Sequence, residues 1–125
     1  MADIHKTVVK EKDLTQLTAI GNISWQEITN SLREFYKSGF TTNLLWDFTQ
    51  ADFTGIQSDN IRMIITTSMS LAPLRKNGKT AIVASSAYAN ALIRQYEIIS
   101  EVNKHPINHG IFNRVEEAME WFNSK

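Results

Sequence analysis

Four times along this chain a short apolar run of strand length gives way to an amphipathic stretch at helical spacing. That alternation restricts the fold more than any other feature. Leu14–Ile20 precedes the stripe Trp25, Ile28, Leu32, Phe35 and Tyr36. Asn43–Phe48 precedes Ile61, Ile64, Ile65 and Met69, and Lys79–Ala84 precedes Tyr88, Leu92, Tyr96, Ile99 and Val102. Asn108–Phe112 precedes Val115, Ala118, Met119 and Phe122. Period-2 and near-continuous runs read as strands and period-3.6 stripes as helices. A strand joined to a parallel neighbour through a helix makes a right-handed crossover in nearly all cases. The expected fold is therefore α/β, a mixed sheet with helices packed against it.

Ile4–Lys10 adds a leading strand, and Glu11-Lys12-Asp13 suits a hairpin turn into Leu14–Ile20. The predicted order is β-β-α-β-α-β-α-β-α. Local signals punctuate it. Ser24 and Glu27 have the spacing of a capping box, and Gly39 supplies a helix stop. Leu44, Leu45, Trp46 and Phe48 fit a strand covered on both faces. A loop is expected over Thr49–Gln57, with Ser58 or Asp59 capping the next helix and Pro73 ending it. Ser85 and Ser86 offer caps for the third helix, and Pro106 separates it from the last strand. Asn113 with Glu116 reads as a second capping box.

With 125 residues the chain has the size of one domain over 1–125, and it can bury roughly two-thirds of its unfolded surface without a disulfide or metal. Thirteen basic residues balance thirteen acidic ones, so nothing in the overall charge draws the chain to nucleic acid or to an anionic membrane. There is no cysteine, which removes thiolate catalysis and Cys-type zinc sites. The first residues lack the apolar core of a secretory signal, and the apolar stretch Met63–Leu74 is too short and too polar to span a bilayer. A cytoplasmic protein without a transmembrane segment is the expectation.

No constellation of catalytic residues stands out. His105 and His109 have a metal-pair spacing, but Pro106 between them breaks the helix such a pair needs; His5 is a remote third ligand. They read as polar residues of a loop before an edge strand. Asp47 ends an apolar strand at the sheet edge where α/β proteins bind ligands, although a carboxylate there more often closes a turn. Asp52 and Asp59 add carboxylates nearby, with no phosphate loop beside them. Arg75, Lys76 and Lys79 read as solvated loop charge unless a pocket lies beside them. Ser85 and Ser86 lack the glycines of a nucleophile elbow. Trp25, Trp46 and Trp121 read as core. Tyr88, Tyr96, Met63 and Met69 are a candidate lining for an apolar cleft that would accept a lipid-like ligand.

The motifs, in their order, resemble those of the STAS superfamily, and more closely its SpoIIAA-like branch of small stand-alone bacterial proteins. The resemblance rests on Gly21-Asn22-Ile23-Ser24, Leu44-Leu45-Trp46-Asp47-Phe48-Thr49, Gly78–Ala84, the small-residue-rich Ala87–Tyr96 and the ending Ile111–Phe122. It implies a SpoIIAA-like sheet of four or five strands with a leading hairpin and about four helices, mainly on one side. It implies no enzymatic activity and no cofactor. The protein would be a regulatory or binding module, acting through a protein partner or a small ligand. In the anti-sigma-factor antagonists of the superfamily, a serine at the start of the second helix is phosphorylated within an Asp-Ser-Ser-Gly type signature. This chain has Gly55-Ile56-Gln57-Ser58-Asp59 there. Ser58 is the phosphorylation candidate, with Asp59 opposing the added charge. Asp47, Asp52, Ser58 and Tyr88 are the candidate ligand or partner surface. Kinship in fold to the CRAL-TRIO lipid-transfer domains implies the alternative of an apolar-ligand carrier. Pairing of an edge strand such as Ile4–Lys10, or of exposed helix faces, would allow a homo-oligomer.

Overall fold

The computed structural model describes residues 2–124. Its sheet has five strands in the order β1-β2-β3-β4-β5. They are β1 (Asp3–Val9), β2 (Leu14–Asn22), β3 (Asn43–Asp52), β4 (Lys79–Val83) and β5 (Asn108–Phe112). The helices α1 (Trp25–Lys37), α2 (Ser58–Leu71), α3 (Ala87–Val102) and α4 (Val115–Asn123) alternate with them. β1 is antiparallel to β2, and every later pair is parallel. No helix among the described residues is long and apolar enough to cross a membrane.

Alternation along the strands divides the interior in two. Leu44, Trp46 and Phe48 of β3, with Leu17, Ala19 and Ile82, join the main core with α1, α2 and α3. Leu45 faces the other way and joins Leu14, Ala81 and Val83 against Ala118 of α4. This is why the strand runs read as continuously apolar: helices cover both faces of the central strands. β1, at the sheet edge, is largely exposed, and its Lys6 and His5 put polar groups on a strand that would otherwise invite pairing.

Two of the expected caps form. The Ser24 hydroxyl accepts the Glu27 amide at 3.1 Å while Glu27 Oε1 accepts the Ser24 amide at 3.0 Å. The Ser86 hydroxyl accepts the Ala89 amide at 3.1 Å. Three boundaries differ from expectation. β3 continues to Asp52 instead of giving way at Thr49, because a register shift opposite Thr18/Ile20 lets it keep pairing with β2. The cap of α2 is Gln57, whose amide donates to Asn60 Oδ1 at 2.8 Å, rather than Ser58 or Asp59. α4 is entered through Arg114 with no side-chain cap, so the Asn113–Glu116 box does not form.

Pro73 ends α2 by converting the chain to a 3-10 turn over Ala72–Arg75. That turn folds the Arg75 side chain under the sheet. A Cβ on the nearby Gly78 would lie 2.5 Å from the Thr42 carbonyl oxygen and 2.9 Å from Arg75 Cγ, so only glycine permits this approach.

Candidate functional site

The face of the sheet covered by α1, α2 and α3 is crossed by a line of buried and half-buried polar side chains. At one end is Arg75, only 5% exposed. Its Nε donates to the Tyr36 hydroxyl at 3.1 Å, and Nη1 donates to the carbonyls of Thr42 at 2.8 Å and Lys79 at 3.1 Å. Nη2 donates to Thr80 Oγ1 at 2.6 Å. The guanidinium carbon lies 5.3 Å from the Phe35 ring centre and 5.6 Å from that of Tyr36. No carboxylate pairs with it among the described residues. Burial of an unpaired charge is costly, and here neutral acceptors and two ring faces compensate it.

The other end is a hydrogen-bonded chain, His105–Ser68–Tyr96–His109. The Tyr96 hydroxyl donates to Ser68 Oγ at 3.0 Å and pairs with His109 Nε2 at 3.2 Å. Ser68 Oγ lies 2.8 Å from His105 Nε2. The two imidazoles meet edge to face at 4.7 Å. Burial pushes the Tyr96 hydroxyl up to about 12. His105 is pushed down to about 4 by burial and then by the Arg75 charge. His109 falls to about 3, by burial first, then by the charges of His105 and Arg75. Both imidazoles are therefore neutral near pH 7.

Between the two ends is a cavity of about 60 Å3. Ile28, Leu32, Trp46, Phe48 and Ile64 provide its apolar wall, and Ser68, Arg75, Thr80, Tyr96 and His109 its polar one. Space of this size holds a water molecule or two beside several polar partners.

A serine 2.8 Å from a histidine invites comparison with a nucleophile and its base. The second nitrogen rules on that. The Ile107 amide donates to His105 Nδ1 at 3.2 Å, so the proton of the neutral ring is on Nε2. Nε2 then donates to Ser68 and has no lone pair with which to take its proton. The dyad is built for packing, not for attack.

The expected surface residues fall into two groups. Asp47 is buried at 8% exposure, and its Oδ1 accepts from the Thr49 amide at 3.0 Å and the Thr49 hydroxyl at 2.7 Å. It is bonded within β3 and does not open onto a surface. Asp52, Ser58 and Tyr88 lie together along the carboxyl edge of the sheet. Asp52 Oδ1 accepts the Thr54 amide at 2.9 Å, and that contact, helped by the Thr54 hydroxyl, holds its carboxyl below the usual range. Ser58 is exposed in the first turn of α2. Tyr88, 46% exposed, donates its hydroxyl to the Ile56 carbonyl at 2.6 Å and so ties the start of α3 to the entry of α2.

Two expectations are corrected. The apolar cleft of Tyr88, Tyr96, Met63 and Met69 does not form: of these only Tyr96 lines the cavity, while Met63 and Tyr88 face solvent and Met69 packs at the core margin. Arg75 is not solvated loop charge, because the Pro73 turn carries it inward; Lys79 instead reaches the Trp121 and Ser124 carbonyls at 3.3 and 3.1 Å. His105 and His109 are half-buried at the core margin, and no group of three His, Asp or Glu among the described residues could hold a metal.

The chain is similar to the crystal structure of an uncharacterised DUF3478-family protein with a SpoIIAA-like fold from Shewanella loihica PV-4. The TM-score is 0.56 at 13% sequence identity, over 97% of this chain and 93% of that one. At that identity the likeness speaks to the fold, which is SpoIIAA-like. No protein-family model matches the chain, and no curated protein matches it in sequence.

Proposed function

Given a SpoIIAA-like fold, we propose that the chain is a non-enzymatic binding module of STAS type that contacts a protein partner through the carboxyl edge of its sheet. The observation that carries this reading is Tyr88. It is an aromatic residue nearly half exposed, yet its hydroxyl is pinned to Ile56 at 2.6 Å. An aromatic fixed in place before binding supplies contact area at little further entropic cost, which is the property of interface anchors. Asp52 and Ser58 are exposed on the same edge of the sheet. Ser58 is the modification candidate on this surface. The α2 N-terminus favours a phosphate there and Asp59 opposes it.

The carrier reading has less support. Pockets for drug-sized ligands occupy roughly 300–1,000 Å3, against about 60 Å3 here. The enzyme reading is weakened by the His105 tautomer, which leaves Ser68 without a base.

The test is photo-cross-linking in cells of the source organism, with benzoylphenylalanine in place of Tyr88 and, as control, of Arg114. A discrete protein adduct from position 88 alone is expected. Identical adducts from both positions, or none from position 88, would sink the proposal. Saturable uptake of a fluorescent fatty acid would favour the carrier instead.

A further inference from the structure

The cavity between Arg75 and Tyr96 is walled by more donors than acceptors. The Tyr36 hydroxyl accepts from Arg75 Nε at 3.1 Å and donates to nothing among the described residues. Thr80 Oγ1 does the same for Arg75 Nη2 at 2.6 Å. Nη2 makes that single bond and so keeps a further N–H free. Ser68 Oγ accepts from the Tyr96 hydroxyl and, in the tautomer that Ile107 fixes, from His105 Nε2. Its own proton is left without an acceptor. Tyr36, Ser68, Arg75 and Thr80 all line the cavity.

The charge has the same sign as this surplus. Arg75 is a cation at 5% exposure, and no aspartate or glutamate lines the cavity. The carbonyls of Thr42 and Lys79 satisfy Nη1 without neutralising it. Water could accept the spare protons, but it too would leave the charge unbalanced. An anion answers both needs, and charge-assisted hydrogen bonds are the stronger kind.

The rest of the wall limits what that anion can be. Leu32, Ile64 and the stacked rings of Trp46 and Phe48, centred 4.9 Å apart, complete the lining. An oxyanion with acceptors all round would press charge against them. A small carboxylate keeps its oxygens to one side and carbon on the other. A cavity of about 60 Å3 corresponds to two water molecules at roughly 30 Å3 each, which excludes a fatty chain. Of the lining residues only His109 is not buried, and it also borders a surface cleft at the end of α3, which makes it the way in.

We propose that this cavity binds a short-chain carboxylate of formate or acetate size. One oxygen accepts from Arg75 Nη2 with the Tyr36 and Thr80 hydroxyls, the other accepts from Ser68, and a methyl group turns towards Trp46 and Phe48. The site is in the core and shares no residue with the Tyr88 edge, so it stands or falls apart from the contact surface proposed above.

The experiment is NMR on the 15N-labelled full chain near pH 7. Sodium acetate and formate are titrated at an ionic strength held with gluconate, which is too large to enter, and samples stand overnight so that slow entry is seen. Saturable shifts of the Ser68 and Thr80 amides and of the Arg75 Nε–H are expected, with an NOE from the acetate methyl to the Trp46 ring. Acetamide, of the same shape but neutral, should give none of these. Arg75→Met should abolish saturation, and Ser68→Ala should weaken it about tenfold, the loss of one charge-assisted hydrogen bond. The acetate–acetamide comparison needs no variant, so it decides the matter even where Arg75→Met does not fold. No saturation by either carboxylate below about 10 mM, the weak end of specific recognition, would overturn the proposal. Equal binding of acetamide would do the same. Equal shifts from chloride, without the methyl NOE, would replace the carboxylate by an inorganic anion and so overturn it as stated.

Discussion

The two faces of the sheet are built on different terms. Against α4 lies a small dry cluster of Leu14, Leu45, Ala81, Val83 and Ala118, with no charged member. Against α1, α2 and α3 lies a larger core that also contains Arg75, Ser68, Tyr96 and His109 around a cavity. The dry face can respond to mutation only through packing. The face under α1, α2 and α3 adds electrostatics to packing, since its buried polar groups depend on one another for partners. The contrast teaches where the interior responds to charge and pH: on the side of α1, α2 and α3, along the line from Arg75 to His105.

The largest expected effect is that of Arg75→Ala. It strands the Tyr36 and Thr80 hydroxyls and the Thr42 and Lys79 carbonyls, and should cost about 3–5 kcal/mol in urea denaturation. It also removes a positive charge that depresses both histidines, so their NMR titration midpoints should rise. Unmoved midpoints would contradict the electrostatic coupling even if stability fell. Leu45→Ala on the other face should cost about 3 kcal/mol through lost burial and a cavity. It should leave the histidine midpoints where they are; a shift would mean that the faces are not separate.

The pH response sharpens the same comparison. The folded chain keeps His105 and His109 neutral down to about 4 and about 3. The unfolded chain takes up protons below about pH 6.5. Unfolding is thus favoured as pH falls, and the stability present above pH 6.5 is lost progressively below it. A fully shielded histidine contributes up to about 1.4 kcal/mol per pH unit, and the partly exposed His105 contributes less. A loss of about 2 kcal/mol at pH 5 is expected, visible as a falling melting temperature, and Leu45→Ala should show the same slope. Flat stability between pH 7 and 5 would mean that the imidazoles are not shielded. The smallest effect is that of Tyr88→Phe, about 1 kcal/mol or less for one hydrogen bond to Ile56. Its larger consequence should be weaker adduct formation with the partner, because the ring is released.

Much of the fold is legible in the residues because its signals are local. The capping box of Ser24 and Glu27 and the cap at Ser86 involve groups three residues apart, and both form. The cap of α2 was displaced by one residue because Gln57 with Asn60 competes with two better-known capping residues beside them. The length of β3 was not legible: Thr49-Gln50-Ala51 is no strand by composition, and it pairs only because β2 is alongside.

The candidate site was harder to read. Tyr88 and Ser58 could be placed at one edge from the element order alone, but the Ile56 contact that fixes Tyr88 could not. His105 and His109 drew attention only for their spacing, and the partners that define them, Ser68 and Tyr96, come from other elements.

By itself the sequence determined the order of strands and helices, both faces of the central strands and the start of α1, since periodicity and capping depend on residues within a turn or two. Only the tertiary structure decided that Arg75 is buried and that the two histidines are neutral. Tyr36 and Arg75 are 39 residues apart, and Ser68 and His105 are 37. Each is an ordinary polar residue in its own segment. Burial and partner, which set their charge and chemistry, exist only once β4, α2, α3 and β5 have packed together.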